Sequence, residues 1–142
     1  MVKENNSANK TRGFIGRNYK TIHIVIISIM CFFLFLCIIR SFDLHILRNT
    51  AAAVNTLIDI VLMAFLVLLF GFSASNKYVE SKQNIVFSVL IVVDFLMLFF
   101  STLGYAAYGL PEKSSLIRIT ETFSYLFWFV SFAVLWKYQC FF

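Results

Sequence analysis

Four long apolar stretches, at residues 22–39, 50–72, 85–105 and 119–136, take up more than half of this chain. A helix needs about 20 mostly apolar residues to cross a hydrocarbon core of roughly 30 Å, since each residue rises about 1.5 Å and lipid offers the backbone no outside partner. All four runs approach or meet that length. With 61% of residues hydrophobic and 13% charged, against roughly half and a quarter in a soluble domain, a water-soluble globule is excluded. Eighteen phenylalanines, five glycines and one proline also exclude a disordered or collagen-like chain. The fold class that follows is all-α: an integral membrane four-helix bundle.

The connections, residues 40–49, 73–84 and 106–118, are short enough to force neighbouring spans to run antiparallel, up and down. Gly109, Leu110 and Pro111 supply a turn signal in the third. Residues 1–20 read as a basic, disordered cytoplasmic tail, 21–138 as the transmembrane domain and 139–142 as the cytoplasmic C-terminus. The first run is retained rather than cleaved as a signal peptide, because bulky Cys37, Ile38, Ile39 and Arg40 stand where small cleavage-site residues belong.

Orientation follows from the twelve Lys and Arg residues, which are held on the cytoplasmic side of short loops. Lys3, Lys10, Arg12, Arg17 and Lys20 precede the first span, Lys77 and Lys82 lie in the second loop, and Lys137 follows the last span. Arg40, Arg48, Lys113 and Arg118 remain for the other side. Eight against four puts both termini inside (N-in/C-in), in a multi-pass protein of the cell membrane. The net charge of +5 is accounted for by this topology, and no nucleic-acid partner is expected, because the cations interleave with no exposed aromatic platform. The expected partners are the lipid bilayer and either a second copy of the chain or another membrane signalling protein.

No P-loop, GxSxG, HExxH or dinucleotide fingerprint occurs, so no enzyme activity and no cofactor are expected. His23 and His45 fall at opposite ends of the first span region and read as interfacial residues. Cys31 and Cys37 read as packing, and no metal-ligand spacing is present.

The residues that carry chemistry are two acids inside the spans, Asp59 in the second and Asp94 in the third. A charge at the bilayer centre costs at least about 2.5–3.5 kcal/mol, so such residues mark sites or paired contacts. Each lies about nine residues from the start of its span, roughly 14 Å deep. In consecutive antiparallel helices that predicts a shared depth, with the two carboxylates facing each other. Asn55 precedes Asp59 by one turn, and Asp94, Ser101 and Tyr105 are spaced by seven and four, which keeps them within one sector of their helix. Asn55, Asp59, Asp94, Ser101 and Tyr105 are therefore the candidate intramembrane polar or ligand site. Thr120, Ser124 and Ser131 form a similar line in the fourth span, and hydroxyl and amide lines of this kind also serve as glue between membrane helices.

From Asn76 onward, Asn76-Lys77-Tyr78 precedes a span, Val93-Asp94 sits in its middle, Tyr108-Gly109 follows it, and Phe123-Ser124-Tyr125-Leu126 opens the next span. Over roughly residues 76–138 this resembles the N-terminal multi-span membrane sensor region of signalling proteins from low-GC Gram-positive bacteria, of the diguanylate cyclase and histidine kinase type. The resemblance implies a bacterial plasma-membrane input module, free-standing or truncated, without its output domain, since no GGDEF run, ATP-binding motif or phosphoacceptor segment occurs in these residues. The expected function is a non-enzymatic sensory or regulatory module signalling by helix rearrangement. Two alternatives are a small proton- or cation-coupled carrier using Asp59 and Asp94, and an accessory or immunity-type membrane protein.

Overall fold

In the computed structural model the chain is all-helical, and residues 2–42, 50–75, 82–107 and 114–141 are described. Four helices follow in order: α1 (Val2–Ser41), α2 (Thr50–Ser75), α3 (Lys82–Ala107) and α4 (Ser114–Phe141). Each contains a segment long and apolar enough to cross a membrane: Lys20–Ser41, Thr50–Ser73, Gln83–Ala107 and Ser115–Cys140. The turn at Gly109–Pro111, His45, and the residues Arg48, Lys77, Tyr78, Tyr108 and Lys113 lie outside the described residues.

Helix α1 begins at Val2, so the segment expected as a disordered tail is helical. The apolar run supplies a stable nucleus, and adding residues to an existing helix costs far less than starting one. At its other end α1 closes with the Phe42 amide donating to the Ile39 carbonyl at 3.3 Å.

The core forms where α1, α2 and α3 meet. The buried residues of α1, His23, Met30 and Cys37, are spaced by seven, a repeat that holds one seam against a partner helix. On α2 the buried seam is Ala52, Thr56, Asp59, Met63 and Phe70, and on α3 it is Ser88, Ile91, Phe95, Leu98 and Thr102, steps of three, four and seven that stay on one side of a helix. His23 stacks on Phe70 with centroids 4.9 Å apart, and Phe33 of α1 meets Phe99 of α3 at 4.8 Å. His23, near the start of the Lys20–Ser41 span, is thus buried with its ring packed nearly flat on a facing phenyl. Cys37 is buried as a packing residue, whereas Cys31 is exposed.

Helix α4 lies to one side of that core. It packs along α3, the most extensive pairing of the four helices, and touches the others marginally at most. Its large side chains account for its outward face. Tyr125, Trp128, Phe129, Phe132 and Trp136 are mostly exposed, and only the side bearing Thr120, Ser124, Phe127 and Ser131 is half-buried or buried. Close approach occurs at Gly104, where a Cβ would lie 3.2 Å from the Thr120 hydroxyl. Along α3 the residues 94, 100 and 104 meet 131, 123 with 127, and 120 of α4.

Candidate functional site

Asp94 and Asp59 do not meet. The Ser131 hydroxyl of α4 donates to Asp94 Oδ1 at 2.5 Å, the short end of the range for a hydroxyl on a carboxylate. Asp59 instead faces the Ser101 and Thr102 hydroxyls of α3. Asp94 and Ser101 are seven residues apart, so the two carboxylates sit about 10 Å apart along the α3 axis.

The register that produces this offset is set at the other end of the α2–α3 seam. Ser73 Oγ donates to Asn84 Oδ1 at 2.7 Å, and Asn84 Nδ2 returns a bond to the Ser73 carbonyl at 3.1 Å. The Ser88 hydroxyl, 2.9 Å away, completes the group; since the one Ser73 proton is used on Asn84, Ser88 is the donor. With Ser73 locked to 84 and 88, Asp59 reaches 101 and 102. The equal-depth expectation took both acids as nine residues into their spans. Counted from the same end of the antiparallel pair, Asp59 stands nine residues from Thr50 of α2 and Asp94 thirteen from Ala107 of α3, so their heights differ.

Of the five residues expected at one site, Asp59 and Ser101 are brought together. Asp94 is tied to α4, and Asn55 is exposed, off the buried Ala52–Thr56–Asp59 seam. Tyr105 lines a cleft of about 210 Å³ between α3 and α4 together with Phe100, Ser101, Gly104, Glu121, Ser124 and Tyr125. The stripe Asp94, Ser101, Tyr105 therefore exists, and it looks toward α4. Ser101 alone belongs both to the cleft and to the surroundings of Asp59.

Thr56 and Thr102 are the residues that sequence reasoning passed over. Thr56 lies one turn before Asp59 on the same seam and is 1% exposed. Thr102, Thr120 and Thr122 each donate to a carbonyl four residues earlier in their helices, at 3.0, 3.0 and 2.7 Å, the usual resort of a helical hydroxyl. The buried Thr56 Oγ1 makes no hydrogen bond, and neither does Asp59 Oδ2. The signal for Thr56 was available in its spacing, four after Ala52 and three before Asp59. Helices α2 and α3 thus enclose a carboxyl group with one buried oxygen left over. An unsatisfied buried polar atom costs about 1–3 kcal/mol, more for a charged group, which makes this oxygen a place for a bound partner.

No family model, no curated protein and no solved structure matches this chain.

Proposed function

We propose that the protein is a non-enzymatic sensory or regulatory module of a bacterial plasma membrane, built from four antiparallel spans with both ends on the cytoplasmic side. The four apolar helices support the spans, and the eight-to-four distribution of Lys and Arg supports the orientation. The single observation that carries the functional reading is Asp59: an acid sealed between α2 and α3 with one oxygen unpartnered. The seam it occupies is latched at one end by Ser73, Asn84 and Ser88. A change of occupancy or charge at Asp59 alters the cost of keeping the open end of the seam closed, and α2 moves against α3 about the latched end. That movement is the output, passed to a partner membrane protein or a second copy of the chain.

The test places spin labels at Asn55→Cys and Leu103→Cys in an otherwise cysteine-free chain in lipid nanodiscs. Comparing Asp59 with Asp59→Asn and Asp59→Leu is expected to shift the distance distribution by about 1–2 Å, the scale of helix shifts in signalling interfaces. Identical distributions in all three overturn the reading. A carrier is the second reading, favoured by the cleft that reaches Ser101. Cation- or pH-driven flux in proteoliposomes, abolished by Asp59→Asn, selects it.

A further inference from the structure

We propose that the cluster around Asp59 binds one small alkali cation of the sodium class; this rests on reading Asp59 as the responsive site and names its ligand. Two buried oxygens lack partners, Asp59 Oδ2 and Thr56 Oγ1. They lie one turn apart on the same face of α2, where side chains three residues apart are neighbours. Asp59 is 9% exposed and Thr56 1%. Two more hydroxyls approach the carboxylate from α3, Ser101 and Thr102. Thr102 donates its proton to the Leu98 carbonyl, which leaves its oxygen lone pairs available to accept or to coordinate.

The donor set selects the ion. All four donors are hard oxygens, which suit alkali and alkaline-earth ions and not soft transition metals. Among the described residues no three His, Cys, Asp or Glu side chains gather into a metal-binding group. One carboxylate balances one positive charge. A divalent ion would leave a net charge uncompensated in a low-dielectric interior, where desolvation costs several kcal/mol per ion. Thr56 carries the rest of the argument, because Thr102, Thr120 and Thr122 bond back to their own helices and the buried Thr56 hydroxyl does not.

Access is supplied by the α3–α4 cleft. Its wall includes Ser101, and its lining carries the Glu121 carboxylate and the Tyr105 and Tyr125 side chains. An ion entering there is attracted by Glu121 and meets Ser101, which also neighbours Asp59.

Equilibrium binding of ²²Na⁺ to the purified full chain in detergent tests the proposal. Saturable binding of one ion per chain is expected. Asp59→Asn abolishes it, and Thr56→Val weakens it about tenfold, the size of one lost contact to a charged group. Thr56→Ser, which keeps the oxygen, and Asp94→Asn, which lies at another seam, bind as the parent does; circular dichroism of each variant checks folding. Absence of saturable binding in the parent, survival of binding in Asp59→Asn, or stabilisation by protons with no sodium bound overturns the site. If sodium fails to bind while the spin-label distances still respond to Asp59, the ion is wrong and the sensory reading stands. Binding without any change in those distances leaves the site and removes the sensory reading.

Discussion

Asp94 and Asp59 are the same residue type in consecutive apolar helices, and they differ in burial and in the helix that meets them. Asp94 receives the Ser131 hydroxyl from α4 at 2.5 Å, and this contact ties the flanking helix to the core. Asp59 lies deeper between helices, faces Ser101 and Thr102, and retains a buried oxygen with no partner. The comparison separates two uses of an acid in an apolar interior. A carboxylate met by a donor from the facing helix is a fastening. A carboxylate met incompletely is held at a cost, and that cost is removed when a ligand arrives.

Removing the fastening at Asp94 and removing the Asp59 carboxyl are expected to have unlike effects on stability. The largest effect belongs to the fastened pair: Ser131→Ala leaves the Asp94 carboxylate short of its donor and lowers unfolding free energy in micelles by about 1.5–3 kcal/mol. A double-mutant cycle with Asp94→Ala recovers a coupling of similar size, and a coupling near zero breaks the comparison from the Asp94 side.

Asp59→Leu comes next. Replacing an incompletely paired buried carboxyl by an apolar side chain of similar volume is expected to raise stability by about 1 kcal/mol or leave it unchanged. Thermal unfolding followed by circular dichroism checks it, and a loss as large as that of Ser131→Ala breaks the comparison from the other side.

The smallest effect sharpens the latch that sets the register. Ser88→Ala removes one hydroxyl from the Ser73–Asn84 group and is expected to cost about 0.6 kcal/mol, the average for polar contacts between membrane helices. Asn84→Leu removes both bonds to Ser73 and loosens the register, so hydrogen exchange at the Ser73 end of α2 rises more in Asn84→Leu than in Ser88→Ala. Equal exchange in both variants assigns the register to apolar packing alone.

Much of this was legible in the residue string. Span lengths follow from unbroken apolar runs, and an acid in such a run announces itself by its desolvation cost. The polar line on α3 was legible too, since seven- and four-residue spacings keep Asp94, Ser101 and Tyr105 on one side. Which neighbour that side looks at was not. Periodicity gives the angle between two residues on one helix, and it contains no information on which helix stands opposite.

The amino-acid order by itself determined four apolar helices, the places of Asp59 and Asp94 within them, and the hydroxyl-bearing side of α4, because all of these depend on contacts within a few residues along the chain. The tertiary structure alone decided that Ser73 locks to Asn84 and Ser88, that Asp59 consequently reaches Ser101 and Thr102 while Asp94 takes Ser131, and that α4 packs along α3 to one side of the core. The physical reason is that apolar helix faces slide past one another at little cost. A handful of hydrogen bonds and close approaches, made by residues far apart in the chain, then fix the height at which each carboxylate finds a partner or lacks one.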